Sequence, residues 1–266
     1  VLAADTNDFQ PPDVADSDGL GFSKGGDRAS LRLLPEDEAL IRAVAAVNPN
    51  TVVAVVAGSA VLIDGWDQLV PAVVQSWYSG MEGGHALADL LLGATEPSGR
   101  LPFSVPTDVD HLPAFDAEAH EVIYDGWHGY WMLARDGHAP AHPFGFGLSY
   151  TELTLAEVGV AVEADGAAGH AAFVVVDATC VNTGERDGVE VVQVYMAAGD
   201  GPSRLRGFAR VEVPAGQRVP AQVRVPLASL ARRTETAAWA SVAGEISVSV
   251  ARHAGDPGAT HATLTV

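Results

Sequence analysis

Apolar positions follow two different rules along this chain. Up to Tyr150 they fall at helical spacings or in unbroken β-branched runs, and beyond it they fall in short runs separated by turn residues. Pro35-Glu36-Asp37-Glu38 precedes Leu40, Ile41, Val44 and Val47, an i, i+1, i+4, i+7 spacing. With acids in the first turn and Asn48-Pro49 at the end, that spacing predicts an amphipathic helix. Thr51 to Ala57 is β-branched and apolar without alternation, which predicts a strand buried on both faces and ending at Gly58-Ser59. A second such run, Ala72 to Trp77, follows the segment around Trp66 and stops at Gly80. Met81, Leu87, Leu90 and Leu91, interleaved with Gly83, Gly84, Ala86 and Ala88, predict a helix over 82–92. Helix, strand, link, strand and helix in this order define an open α/β layer. Such layers bind ligands at the carboxyl ends of their strands, here near Gly58, Gly80 and Glu82.

After Tyr150, runs at 174–176, 189–195, 207–213, 221–225 and 245–250 are divided by Asn182-Thr183-Gly184, Gly199-Asp200-Gly201-Pro202, Pro214-Ala215-Gly216 and Ala243-Gly244. Short strands punctuated this way predict an all-β sandwich. The boundary is expected near residue 152, giving domains 1–152 and 153–266. Residues 5–28 are rich in Asp, Gly and Pro and have no apolar period, so they predict a long loop. Loops of that length are commonly binding or active-site loops, with a mobile chain end as the alternative.

Composition narrows the function. The 266 residues are 48% hydrophobic and 18% charged, enough to bury two cores. A formal charge of −19 repels nucleic-acid backbones and anionic membrane surfaces. The one cysteine, Cys180, excludes an intrachain disulfide framework and every multi-cysteine metal site, and its flanks predict a thiol in the core. The longest nearly unbroken apolar run, 51–63, is too short to span a bilayer, for which about 20 residues are needed. The opening Val1-Leu2-Ala3-Ala4 has neither an initiator methionine nor a signal sequence, so the chain is expected to be a fragment or a processed product. A soluble protein, cytoplasmic or secreted, fits, with no compartment assigned.

Asn48-Pro49-Asn50-Thr51-Val52-Val53, Trp77 through Asp89, and Pro97-Ser98-Gly99-Arg100-Leu101-Pro102 resemble, in order and spacing, the C-terminal α/β-sandwich domain of family 3 glycoside hydrolases. Pro143-Phe144-Gly145-Phe146-Gly147-Leu148-Ser149-Tyr150-Thr151 resembles the segment by which β-glucosidases of that family leave the domain. Val181-Asn182-Thr183-Gly184, Val189 through Tyr195 and Leu205-Arg206-Gly207-Phe208 resemble the fibronectin-type-III-like domain that ends many members. The fold class implied is part of an α/β sandwich, an open sheet with flanking helices, followed by an all-β fibronectin-type-III or immunoglobulin-like sandwich.

The resemblance implies retaining hydrolysis of terminal β-linked sugars, with no metal and no cofactor. In that family the nucleophilic aspartate lies in an N-terminal barrel domain that nothing here resembles, so the partners implied are a saccharide and a barrel on the same or a separate chain. Many members carry an acid/base glutamate in a loop reading roughly Glu-x-Glu-Gly-x-Asp-Arg. Here the loop reads Phe22-Ser23-Lys24-Gly25-Gly26-Asp27-Arg28, with Phe22 and Lys24 where the acids would stand. A lysine, with a reference pKa of about 10.4, is a poor proton shuttle near neutral pH. Asp16 and Asp18, a few residues upstream, are the acid/base candidates, and solvated loop acids are the alternative.

Lys24, Asp27, Arg28 and Trp127 are the substrate-binding candidates. Asp27 and Arg28 equally suit tying down the loop. Trp127, in the aromatic cluster Tyr124 to Trp131, equally suits packing against the sandwich. Glu82 suits a helix N-terminus, with proton donation as the other possibility. His138 and His142 straddle Pro140 and so do not form a ligand pair on one helix face. The rival reading is a non-catalytic carbohydrate-binding or scaffold module.

Overall fold

A computed structural model describes residues 2–4, 30–114, 119–164, 171–233 and 239–266. These form two compact units. The first comprises the described residues up to Asp89 together with Phe103–His142, and the second comprises Leu90–Pro102 together with Pro143–Val266.

The first unit is built on three parallel strands, β1 (Leu2–Ala4), β2 (Val52–Val56) and β3 (Ala72–Gln75), with β2 in the middle. Ala4 lies opposite Val56, and Val55 opposite Gln75. Val53, Ala54 and Val55 are buried, as a β-branched run without alternation requires. β3 is only half-buried and ends two residues short of the expected Trp77, because the backbone turns out of the strand there. Helix α1 (Pro35–Val47) carries Glu36, Asp37 and Glu38 in its first turn, and Ile41 is its buried residue, while Leu40 and Val47 stay exposed. Asn48 ends it: its N–H donates to Val44 O, its side chain accepts from Asn50 N–H, and its carbonyl accepts from the Thr51 hydroxyl. Helix α2 (Gly83–Leu91) follows β3, and α3 (Gly129–Asp136), which the aromatic cluster had hidden, is closed by Gly137 in the left-handed region.

The second unit contains β4 (Leu153–Ala164), β5 (Ala171–Asn182), β6 (Gly188–Ala198), β7 (Arg204–Val213), β8 (Arg218–Pro226), a ribbon of β9 (Arg232–Arg233) with β10 (Trp239–Ala240), β11 (Glu245–Ala251) and β12 (Thr260–Thr265). Antiparallel sheets ordered β12-β11-β6-β7 and β4-β5-β8 enclose a core of Val174, Val176, Cys180, Val192, Val194, Met196, Val223, Val225, Ile246, Val248 and Val250. The every-second-residue burial of β5 and β11 is the period of a one-sided sheet. β6 is buried almost throughout because Phe144 and the carbonyl of Gly145 meet its Tyr195 and Gln193.

Two of the segments carrying the family resemblance interlock in this second unit. Leu101 N–H donates to Phe146 O and Gly145 N–H to Leu101 O, joining Pro97–Pro102 to Pro143–Gly147. A Cβ on Gly147 would overlap the Gly99 carbonyl, which explains glycine there. Arg100 reaches the buried Glu190 carboxylate at 3.1 Å. Asn182 closes the Val-Asn-Thr-Gly turn by donating to the carbonyls of Arg186 and Val213 while accepting from Thr151 and Gly184. Cys180 is fully buried, and burial with the nearby Glu190 charge pushes its thiol up to about 11.

Candidate functional site

All three strands of the first sheet run the same way, so the residues leaving β1, β2 and β3 share one edge. Asp16, Asp18, Lys24, Asp27 and Arg28 lie outside the described residues; the chain before them is described as far as Ala4, opposite Val56. The chain reappears at Ser30. Leu31 O then accepts from Leu62 N–H at 2.8 Å, Arg32 forms a parallel bridge with Leu62, and Leu33 is buried. Val61, Leu62 and Ile63, just past the end of β2, are themselves buried. The described residues on either side of this stretch are thus Ala4, paired with Val56, and Leu31 and Arg32, joined to Leu62. The Arg32 guanidinium takes Asp64 in two contacts of 3.1 and 3.2 Å, and this hydrogen bonding raises its pKa against the opposing effect of burial.

A second loop leaves β3 at the same edge. Ser76 N–H donates to Val55 O, and the Gln75 amide donates to Ala57 O, so the loop is stitched to the end of β2. Trp77 then adopts φ +55°, a left-handed conformation costing about 1–3 kcal/mol for a bulky residue. Its ring packs edge-on against Phe103 with centroids 5.5 Å apart. The Tyr78 ring lies over Gly58, where a Cβ would come within 2.9 Å of it. Gly80 turns the chain at φ +69°, Met81 is wholly exposed, and the exposed Glu82 carboxylate meets His85 Nδ1 at 2.7 Å.

Trp127 stands elsewhere in the first unit, half-buried, with its backbone N–H donating to the Asp125 carboxylate. The Arg135 guanidinium covers its ring at 4.9 Å from the centroid, and Arg135 is bound in turn by Asp136 and Asp125. The indole of Trp131 donates to Gly126 O, and the Tyr124 hydroxyl bonds His128 Nδ1. One face of Trp127 is thus occupied by a cation, and packing accounts for much of its position. His111 and His138 stack with centroids 3.8 Å apart. Among the described residues, no three His, Cys, Asp or Glu side chains gather as a metal site would require. No described helix is long and apolar enough to cross a membrane.

The Arg32–Asp64 pair, the strained Trp77 and the α3 helix were not legible in the sequence. Backbone strain at a tryptophan has no compositional signal, and an ion pair 32 residues apart has none either.

A partial parallel α/β layer followed by a fibronectin-type-III-like sandwich is the class these elements define. The glycosyl hydrolase family 3 C-terminal domain matches residues 4–150, and the fibronectin type III-like domain matches residues 190–254. The chain belongs to glycosyl hydrolase family 3. It is similar to beta-glucosidase B of Emericella nidulans, at 34% identity over 88% of this chain and 30% of that protein. It is also similar to an exo-alpha-(1->6)-L-arabinopyranosidase of Bifidobacterium longum, at 35% identity over 73% of this chain and 26% of that protein. Among solved structures, the family 3 beta-glucosidase of Bifidobacterium adolescentis superposes with a TM-score of 0.81 and 32% identity, over 92% of this chain and 37% of that one. The chain therefore spans about a third or less of the relatives it matches.

Proposed function

We propose that this chain is the C-terminal part of a retaining exo-acting β-glycosidase, acting on terminal β-linked pyranosides and joined to an N-terminal barrel that supplies the nucleophile. The observation carrying this reading is membership of the family, supported by a parallel α/β layer, whose strands carry their ligand-binding side at the carboxyl ends.

In retaining hydrolysis one carboxylate attacks the anomeric carbon while a carboxylic acid about 5–5.5 Å from it protonates the departing oxygen, then deprotonates the incoming water. In this reading the loop presents Asp16 or Asp18 as that acid/base. Lys24, Asp27 and Arg28 contact sugar hydroxyls, and the uncovered face of Trp127 offers an apolar platform to the sugar ring. The relatives, a beta-glucosidase and an exo-alpha-(1->6)-L-arabinopyranosidase, support a pyranoside as the sugar released and leave its identity open between glucose and other sugars.

The test is hydrolysis of an aryl β-glucoside by the intact protein carrying this chain and its barrel, beside Asp16→Asn and Asp18→Asn. Turnover abolished by one of the two supports the reading. A well-folded intact protein that hydrolyses no aryl glycoside but binds saccharide supports the second reading, a non-catalytic carbohydrate-binding module. Lys24 at the usual glutamate position favours that alternative.

A further inference from the structure

We propose that Met81 is a reversible oxidation site of this protein, whose thioether takes an oxygen atom from hydrogen peroxide while the fold stays intact. The chain has four sulfur atoms, in Met81, Met132, Met196 and Cys180, and all four residues are described. Three are shut away from solvent. Cys180 and Met196 lie in the core of the β-sandwich at 0% exposure, and Met132 of α3 is 7% exposed. Met81 is 98% exposed.

The apolar pattern groups Met81 with Leu87, Leu90 and Leu91 on one helix, and the structure separates it from them. Gly80 turns the chain at φ +69°, α2 begins only at Gly83, and Met81 stands in the turn between, past the carboxyl end of β3. Its neighbours hold that turn. The Ser79 hydroxyl donates to Ser76 O at 3.0 Å, Gly83 N–H donates to Gly80 O at 3.2 Å, and Ala86 N–H donates to Glu82 O at 3.0 Å. None of these bonds involves the Met81 side chain. A side chain so exposed buries almost no apolar surface on folding, so adding an oxygen to it removes no packing. The same oxygen on Met196 or Met132 would place a polar atom in a core, where it is costly.

Peroxide alone balances the step. A lone pair of the sulfur attacks one peroxide oxygen, the O–O bond breaks as the S–O bond forms, and the other oxygen leaves as water with both protons. Sulfur loses two electrons and peroxide gains them. Methionine sulfoxide reductases, one for each sulfur epimer, return the sulfoxide to the thioether with a dithiol, which becomes a disulfide while the oxygen leaves as water. A thiol is oxidised as its thiolate, and burial with the nearby Glu190 charge pushes the Cys180 thiol up to about 11, so Cys180 does not compete for the oxidant.

The experiment treats the intact protein carrying this chain with hydrogen peroxide and follows each methionine by peptide mass mapping. Sulfoxide is expected to form at Met81 about tenfold or more faster than at Met132 or Met196, as 98% exposure against 7% or less implies. In denaturant the three rates should converge. With Met81 alone oxidised, the melting temperature should move by less than about 2 °C, the range of a surface change in a chain of this size. The two reductases should reverse the modification in the folded protein, and Met81→Leu should leave no methionine of this chain oxidised on the same timescale. A Met81 rate no faster than those of Met132 and Met196, or a difference that persists in denaturant, would overturn the proposal. So would a melting temperature that falls as Met81 is oxidised, or a Met81 sulfoxide that the reductases leave unchanged.

Discussion

Replacing Glu190 by alanine should be among the most damaging single changes in the second unit. The Glu190 side chain is 3% exposed and that of Arg100 is 11% exposed, so neither charge is shared with bulk water. Arg100 donates to the Glu190 carboxylate at 3.1 Å, to Val189 O at 3.2 Å, to Ser98 O at 3.3 Å and to Gly99 O at 3.2 Å. The same carboxylate oxygen accepts from Val191 N–H at 2.8 Å. Removing the carboxylate keeps the carbonyl partners of Arg100 but leaves its charge buried and uncompensated. Breaking a buried pair from one side costs about 3–5 kcal/mol. In a chain of this size that lowers the melting temperature by roughly 10 °C. Glu190→Gln keeps acceptor and volume and should cost about 1–2 kcal/mol, the added strength of a hydrogen bond between charged groups. Urea denaturation of the 266-residue chain provides the assay, with Arg100→Met and the double variant completing a cycle. A loss below about 1 kcal/mol for Glu190→Ala, the range of water-exposed pairs, would show that the carboxylate is solvated and would refute the reasoning.

Gly145 sits at φ +82°, and a Cβ there would overlap the Gln193 amide and stand 2.9 Å from the Tyr195 hydroxyl, so Gly145→Ala should cost about 3 kcal/mol or more by chemical denaturation. Burial lowers the pKa of His142 from its ordinary 6.5, although Asp67 opposes the shift. The folded chain then holds fewer protons than the unfolded one below pH 6.5, so stability is full above that pH and declines as pH falls toward the lowered native value; His142→Gln should flatten that slope in pH-dependent melts. Cys180, with its thiol pushed up to about 11 and fully buried, should resist a maleimide at pH near 8 until denaturant is added. On the glycosidase reading, Trp127→Ala in the intact protein should raise KM roughly five- to tenfold with kcat little changed, the loss of about 1 kcal/mol of uniform binding; an unchanged KM would make Trp127 a packing residue only.

The most recognisable residues of the chain serve its architecture. Pro97–Pro102 and Pro143–Gly147 are joined by backbone hydrogen bonds, and Arg100, Gly145 and Gly147 are each explained by a close contact within that seam. The residues proposed for chemistry are the less distinctive ones. Asp27 and Arg28 were legible as candidates because they match the family pattern, and Asp16, Asp18 and Lys24 because the chain departs from it, yet all lie outside the described residues.

Local chemistry alone indicated the kind of several elements, though not of α3. The unbroken run of Val52–Val56 predicts a buried strand, the acids of 36–38 and Asn48-Pro49 bracket a helix, and the divided runs after Tyr150 predict a sandwich, because burial periodicity and turn residues act between near neighbours. Tertiary structure alone decided what each face meets. Leu40 and Val47 share the apolar spacing of Ile41 but remain exposed, and β3, as apolar as β2, is only half-buried. Arg32 finds Asp64 across 32 residues, and Arg100 finds Glu190 across 90. Such pairings depend on how strands register and how the chain closes upon itself, and periodicity in the sequence says nothing about partners that far apart.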